Sequence, residues 1–386
     1  MKIALAADFH LGYRQFNSQQ RWQDYLDAFT KVTKKVEELD IDVYVMAGDI
    51  FDKNRPHPGI IRRFLKETSS LKCPIMLIRG NHDSPQILFE KYGGDTLHLI
   101  NDVSKIIYLN RKNPVFTIDD VSFIGVGYES YNTAQEIKRQ VESAKTTSNI
   151  KVGIFHQLLD FPGVPEDKAD VSKGFLKNLG LDLILTGHYH MPYSEEALFN
   201  PGSPEYWSFD QGECVKMNLD TGETKVKPAR KTGFFIVDTT TQKGNFVEIE
   251  PARPMHFLTY ETENFEEAAH MPRIRKHQLK YNLEGAMVKT LVRGSSKYGR
   301  TNLKSLDLGA PLVYKSSAAI RPTGVLPTQA DISRVFSEYL VEKGMEKQTA
   351  KSLVEWFEKN KEKLGAMNED DLLRALRNVL NSKKIC

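Results

Sequence analysis

Cysteine is scarce in this sequence: Cys73, Cys214 and Cys386 are the only three in 386 residues. They lie far apart and form no C-x-x-C pair, which excludes a disulfide scaffold or a cysteine-zinc module and fits a reducing compartment. Long apolar runs are missing too, and none approaches the ~18 residues of a membrane span. In the opening MKIALAADFH an acidic residue and a histidine break the apolar stretch too early for a signal peptide, so a soluble cytoplasmic chain is expected. A strong excess of one charge is also absent. The net +3 is too mild to identify a nucleic-acid binder. What remains, 40% hydrophobic and 27% charged residues, is ordinary for a soluble protein with a buried core. At ~100–200 residues per domain the length suggests two or three units.

The mild total hides an uneven distribution. Residues 1–250 carry 30 basic and 34 acidic side chains, residues 251–330 carry 12 and 6, and residues 331–386 carry 11 and 10. A basic middle segment attracts phosphates, although surface lysines also simply keep a small domain soluble. The first part alternates short apolar runs with helical patterns. The runs are Ile3–Ala7, Val43–Ala47, Ile75–Ile78, Val152–Phe155 and Leu183–Thr186, each ending at a polar cluster. Ser18 can cap a helix bearing Trp22, Phe29, Val32 and Val36, and Pro58 can open another. From Tyr193 to about Glu250 the pattern becomes strands and tight turns, at Asp220-Thr221-Gly222 and Lys243-Gly244-Asn245. This reads as an α/β sandwich with antiparallel additions. Pro251 and Pro254 mark one boundary, and Arg321-Pro322-Thr323-Gly324 with Pro327 a second. The expected units are therefore 1–250, a small α+β unit at 251–326, and a helical segment at 327–386. The helical segment carries three amphipathic stripes, on Ile332, Val335, Phe336, Tyr339 and Leu340, on Ala350, Leu353, Val354 and Phe357, and on Leu372, Leu373, Leu376, Val379 and Leu380.

Polar residues with metal-ligating side chains stand where the apolar runs end. Asp8-Phe-His10 follows the first run, Gly48-Asp49-Ile-Phe-Asp52 the second, Gly80-Asn81-His82-Asp83 the third, His156-Gln157 the fourth and Gly187-His188-Tyr-His190 the fifth. In an open α/β sheet, ligands bind beyond the carboxyl ends of strands, so the five clusters can converge. Residues i and i+2 of an extended segment point to one side, which lets Asp8 with His10, and His188 with His190, present two ligands together. The set offers oxygen and imidazole without thiolate, suiting Mn²⁺, Fe or Zn²⁺. A lone D-x-H or GNHD is usually a turn or a satisfied histidine; five in this order are a different matter. Two ions held ~3.5–4 Å apart can stabilise both the attacking and leaving oxygens of a phosphoryl displacement.

These ordered motifs, D-x-H, GD-x-x-D, GNH-[DE], H and GH-x-H, resemble the calcineurin-like dinuclear metallophosphoesterase superfamily. Asp8-Phe-His10-Leu-Gly-Tyr-Arg-Gln-Phe-Asn17, with Gly48-Asp49-Ile-Phe-Asp52 followed by Arg55-Pro56, narrows the resemblance to the meiotic recombination eleven family in archaeal form. That family supplies the nuclease subunit of the double-strand-break repair nuclease–ATPase complex. The resemblance covers about residues 1–210. It implies a four-layer α/β/β/α metallophosphoesterase sandwich with a small α+β, basic, DNA-capping domain and a C-terminal helical tail. It implies a Mn²⁺-dependent DNA nuclease, a 3′-to-5′ exonuclease on duplex and an endonuclease on single strands and hairpins, processing ends in double-strand break repair. Two Mn²⁺ per chain are expected, with Mg²⁺, Fe or Zn²⁺ as other occupants. Asp8, His10, Asp49 and His190 would hold one ion, and Asp49, Asn81, His156 and His188 the other. His82 would be the catalytic group that assists departure of the 3′ oxygen. Asp83 would orient a histidine or cap a turn.

One position departs from the family: many relatives carry histidine where this chain has Asp52. An aspartate repels phosphate and gives up no proton at neutral pH unless its pKa is raised, which puts the exonuclease–endonuclease balance in doubt. Asp52 is then a residue behind the ligands or a helix cap. Tyr13 and Arg14, Arg55, and Arg293, Lys297 and Arg300 are candidate DNA contacts, with Arg273, Arg275 and Lys276 beside them; a solvated loop is the plain reading at Tyr13-Arg14-Gln15. Gly294-Ser-Ser-Lys-Tyr-Gly299-Arg-Thr301 nearly matches a P-loop, but arginine replaces the lysine, so a basic loop is expected rather than an ATPase. By the resemblance, the C-terminal helices would dock on an SMC-like repair ATPase, where their stripes would otherwise pack on one another. It also implies a homodimer, DNA as substrate, no membrane, and association with chromosomal DNA. Two readings compete. A protein phosphatase or small phosphodiesterase on the same metals is disfavoured by Lys53-Asn54 where Arg-Gly is usual after GD-x-x-D. A non-catalytic scaffold for the ATPase is disfavoured by the complete ligand set.

Overall fold

The computed structural model describes residues 1–83, 94–296, 311–322, 333, 336–338, 340–341 and 345–364. Lys297, Arg300 and the stripe from Leu372 to Leu380 lie outside the described residues. The described residues within Met1–Glu261, Ala269–Val292 and Leu303–Ala318 make one compact unit, and those within Thr262–Ala268, Arg293–Asn302 and Ala319–Cys386 another.

Two six-stranded sheets organise the first unit. In one, Lys2–Ala6, Val43–Met46, Ile75–Leu77 and Ile106–Tyr108 run parallel, with Ile3 opposite Val43 and Tyr44 opposite Ile75. Gly233–Asp238 and Lys243–Glu248 extend that sheet antiparallel beyond Lys2–Ala6. In the other, Val121–Val126, Ile150–His156 and Leu183–Gly187 form the parallel centre. The apolar runs are continuous because both faces of these strands are covered. Ile3, Leu5, Val45 and Met76 point inward against Phe123, Val152, Ile154 and Leu185 of the facing sheet. Their neighbours Ala4, Tyr44, Met46 and Leu77 point outward to Phe29, Val32, Phe64 and Ile100. Those last residues come from helices Gln19–Glu38 (α1), Pro58–Thr68 (α2) and Thr96–Val103 (α3). On the far side, Ile124, Phe155 and Ile184 meet Ile137 and Leu176 from helices Thr133–Ser143 (α4) and Lys173–Lys177 (α5). The layers are therefore helix, sheet, sheet, helix. Each fully buried Phe, Val or Leu in them contributes ~1.5–3 kcal/mol relative to exposure.

Local signals account for the helix starts. Ser18 Oγ accepts from Arg21 N at 3.3 Å and caps α1, whose Tyr25, Phe29, Val32 and Val36 recur at helical spacing on the buried side. Pro58 occupies the first turn of α2. One turn falls elsewhere than expected. Lys243-Gly244-Asn245 lies inside a strand, and the chain reverses at Thr239–Gln242, where Thr240 N and Thr241 N donate to Asp238 Oδ1 at 2.9 and 2.8 Å. Asp238 thus supplies the turn chemistry and leaves Gly244 to make room for Phe199.

A third sheet, of five strands, joins Glu213–Asn218 in parallel to Met255–Glu261, with Cys214 opposite Phe257. Farther on, helix Glu267–Gln278 (α6) contains Pro272, and Arg273 donates to Leu219 O at 2.8 Å. In helix Lys347–Leu364 (α7), Ala350, Leu353 and Val354 are buried. No helix among the described residues is long and apolar enough to cross a membrane.

Candidate metal centre

The carboxyl ends of the parallel strands meet at one place because the two sheets pack face to face. Asp8 follows Lys2–Ala6 by two residues and its N–H donates to Gly48 O at 3.1 Å; His10 N donates to Asp49 O at 3.0 Å. The two loops thus brace each other. Asp8, His10, Asp49 and His188 all adopt left-handed backbone, at φ 56°, 46°, 49° and 84°. Aspartate and histidine tolerate this region better than most residues, yet such strain costs ~1–3 kcal/mol each and persists only where surroundings impose it. Close packing explains two glycines. A Cβ on Gly48, itself at φ +88°, would lie 2.3 Å from His156 Nδ1, and one on Gly80 would lie 2.1 Å from Asp49 Oδ1.

The donors gather in two groups. Asp8, His10 and His190 offer three ligand atoms within 4.8 Å of one another, as do Asp49, His156 and His188. In the first, His10 Nε2 and His190 Nε2 are 3.2 Å apart and His190 Nε2 is 3.7 Å from Asp8 Oδ1. In the second, His156 Nε2 is 3.3 Å from His188 Nδ1, 3.2 Å from Asn81 Oδ1 and 3.4 Å from Asp49 Oδ2. That same Asp49 oxygen is 3.7 Å from His10 Nε2, so it faces both groups. Donors each ~2.1 Å from one ion stand roughly 3–3.5 Å apart, close to the 3.2–3.7 Å found here. His156 Nδ1 points at Ala47 O, 2.7 Å away, which fixes the tautomer and leaves Nε2 for the cluster.

Electrostatics argue for a cation as well. Burial pushes Asp8 up to about 7, aided by Asp49 and opposed by His156. Burial would also raise Asp49, but the charge and hydrogen bond of His156 hold it well below the usual carboxylate range. Burial alone would lower His156; facing Asp49 and Asp8, it is instead pushed up to about 9. Burial drives His10 and His188 down to about 3 and His190 well below its ordinary value. The buried carboxylates of Asp8 and Asp49 thus call for positive charge beside them, which a divalent ion would supply. His10 Nδ1 is buried with no hydrogen-bond partner among the described residues. The donor set, hard oxygen and imidazole without sulfur, fits Mn²⁺, Fe or Zn²⁺.

A family model for calcineurin-like phosphoesterases matches residues 1–192, the stretch that holds every one of these donors. Residues 1–192 are a calcineurin-like phosphoesterase domain. The family's dinuclear metal centre accounts for the two donor groups. Curated relatives named DNA double-strand break repair protein Mre11 extend the match. The protein of Methanopyrus kandleri is 28% identical over 72% of this chain and 63% of its own length. That of Archaeoglobus fulgidus is 26% identical over 69% and 63%, and that of Nanoarchaeum equitans 22% identical over 88% and 91%. The chain therefore spans a little under two thirds of the length of the first two relatives.

Within the phosphoesterase domain, other expected residues surround the cluster. His82 N donates to Asp49 Oδ1 at 2.8 Å, and His82 Nδ1 is 2.9 Å from Asp52 O. Asp52 Oδ1 is 3.8 Å from the same nitrogen, so Asp52, His82 and His10 make a third close group. Burial raises the Asp52 carboxyl, with His82 opposing. Asp83 accepts from Ile50 N, Phe51 N and Gly80 N at 3.1, 2.9 and 3.0 Å, tying the Asp49 loop to the Asn81 turn. Burial and the neighbouring Asp49 push it up to about 7 despite those amides. Arg14 and Arg55 are exposed, and Arg293, outside this domain, is exposed too. Tyr13 is half-buried and stacks on Trp207 at 4.5 Å between centroids.

Trp207 is the residue sequence reasoning missed. Its indole centroid lies 4.3 Å from His10, 4.8 Å from His190 and 5.8 Å from His82. The available signal was an aromatic residue in Pro201-Gly-Ser-Pro-Glu-Tyr-Trp207, shortly after the last ligand motif.

Proposed function

We propose that this chain is a Mn²⁺-dependent DNA nuclease that processes ends in double-strand break repair, a 3′-to-5′ exonuclease on duplex and an endonuclease on single strands and hairpins. The observation that carries this reading is the convergence of Asp8, His10, Asp49, Asn81, His156, His188 and His190 into two donor groups that share one Asp49 oxygen. The Mre11 names of the relatives support DNA as the substrate. Asp8, His10, Asp49 and His190 would hold one ion, and Asp49, Asn81, His156 and His188 the other. When bound, such ions lower the pKa of water and neutralise charge on phosphoryl oxygens.

The chain's own groups do the rest. Asp8 and Asp49 supply the buried negative charge that retains cations, and His156 is aimed by Ala47 O. His82, oriented by donation of Nδ1–H to Asp52 O, presents Nε2 to the leaving 3′ oxygen and gives it a proton. Asp52 places negative charge beside that imidazole and repels an incoming phosphate. Exposed Arg14, Arg55 and Arg293 contact backbone phosphates, setting affinity without reading sequence. A homodimer, with the residues from 327 onward docking on an SMC-like ATPase, completes the proposed assembly.

The test is cleavage of end-labelled duplex and hairpin DNA in Mn²⁺ by the wild-type chain and by His82→Ala. Loss of ~10²–10⁴-fold in rate with unchanged metal content is expected, the usual range for a positioned proton donor. A fully loaded wild type inert on both DNAs would overturn the nuclease reading. Equal rates in the two proteins would remove His82 from catalysis.

A further inference from the structure

We propose that Trp207 is a positioning residue of the metal centre: its indole holds His10 and His190 in ligating orientation and couples them to a buried charge network. The proposal rests on the metal-centre reading above. Three of the site's imidazoles pack against this one ring, His10 at 4.3 Å and 39° between planes, His190 at 4.8 Å and 77°, and His82 at 5.8 Å and 85°. An imidazole has a broad, roughly two-fold second torsion, so hydrogen bonds or packing must aim its nitrogens. His156 is aimed by the Ala47 carbonyl. His10 has no such partner: its Nδ1 is buried without a hydrogen bond among the described residues. The wall that defines the orientation of His10 is therefore aromatic.

Such a wall is useful only if it is itself fixed, and the structure fixes it heavily. Trp207 N donates to Gln211 Oε1 at 2.8 Å, and Trp207 O accepts from Gln15 Nε2. The preceding carbonyl, Tyr206 O, accepts from Arg21 at 3.0 Å and from the Tyr25 hydroxyl at 3.0 Å. Arg21, fully buried, also pairs with Glu205 at 3.2 Å and Asp24 at 2.8 Å and donates to Gln15 Oε1 at 2.9 Å. Glu205, also fully buried, accepts from Tyr206 N and Ala252 N, both at 2.9 Å. A buried ion network of this kind adds little net stability over apolar packing, and one role that retains it is a defined geometry. Here the geometry it defines is that of the loop bearing Trp207, with Tyr13 stacked on the indole at 4.5 Å and 22°.

The probe is Mn²⁺ alone, with free ion followed by electron paramagnetic resonance and no DNA present. Trp207→Ala should bind Mn²⁺ about tenfold or more weakly, the range seen when a group supporting a metal ligand is lost. Trp207→Phe, which keeps a ring against His10, should recover most of that affinity. It also keeps Trp22 and Trp356 and should lose most of the Mn²⁺-induced change in tryptophan emission. Glu205→Gln touches no ligand but loosens the network, and should weaken Mn²⁺ binding in the same direction. If Trp207→Ala does not fold, Glu205→Gln carries the test. Wild-type affinity in a folded Trp207→Ala, or in Glu205→Gln in its place, would overturn the proposal and leave the metal centre standing. A wild type that binds no Mn²⁺ would sink both.

Discussion

Replacing Gly80 by alanine adds one methyl group and should damage the metal centre out of proportion to that change. The new Cβ would sit 2.1 Å from Asp49 Oδ1 and 2.3 Å from Asp49 N, where ordinary contact begins at 3.4 Å. One side must yield by roughly 1 Å or more, and neither is a flexible surface group. Asp49 is buried with its backbone already left-handed, its Oδ1 accepts from His82 N at 2.8 Å, and its Oδ2 faces both donor groups. On the other side, Gly80 N is held by Asp83. Overpacking of this kind costs ~1–3 kcal/mol of stability. A displacement of about 1 Å at a reacting centre costs on the order of 100-fold in rate. The expected outcome for Gly80→Ala is a chain that folds, melts a few degrees lower, binds Mn²⁺ more weakly and cleaves DNA on the order of 100-fold more slowly. Gly174→Ala is the control: its Cβ meets nothing nearer than Ser172 Oγ at 3.8 Å, and it should stabilise α5 by ~0.5–1 kcal/mol without touching activity. Wild-type Mn²⁺ affinity and cleavage in Gly80→Ala would refute the reasoning, because the Asp49 loop would then have room that the packing denies.

Two further outcomes follow from buried charge. Arg21→Ala leaves Asp24 and Glu205 buried with fewer partners, and unfolding in urea should show a loss of ~3–5 kcal/mol. Asp24 keeps Arg253, at 2.6 and 2.8 Å, so the lower end of that range is expected, and a loss under about 1 kcal/mol would sink the account. The second concerns pH. In chelated protein Asp8, pushed up to about 7, and His156, pushed up to about 9, hold protons more tightly folded than unfolded. The stability that Asp8 contributes is lost as pH rises from its ordinary 3.8 to about 7, and that of His156 from its ordinary 6.5 to about 9, so above about pH 7 the melting temperature of the chelated chain should fall toward about pH 9 on account of His156. Mn²⁺ takes the place of those protons and should remove or reverse the fall; identical pH profiles with and without Mn²⁺ would count against the donor set.

Sequence alone made the site legible to the extent that local rules govern it. The apolar runs buried on both faces had to be central strands, and in parallel sheets the residues just after them share one edge, so the sequence order alone implies that Asp8, Asp49, Asn81, His156 and His188 come together. Ser18 and Pro58 marked helix starts because capping chemistry acts within one turn. Trp207 was illegible for the opposite reason. What places it is an ion pair between residues 184 positions apart, Arg21 and Glu205, and nothing in either neighbourhood announces the other. Gly80 was misleading in a subtler way, since a glycine before Asn81 suggests a sharp turn. Gly48 does take positive φ, but at Gly80 the decisive fact is an Asp49 oxygen where a side chain would go. Both cases have one cause. A donor's identity is written in its own residue, whereas its aim is set by distant partners, and four of the proposed ligands held in left-handed backbone show how strongly those partners impose it. Substitutions that spare every ligand but disturb Arg21, Glu205, Gly80 or Trp207 are therefore where this site should prove most sensitive.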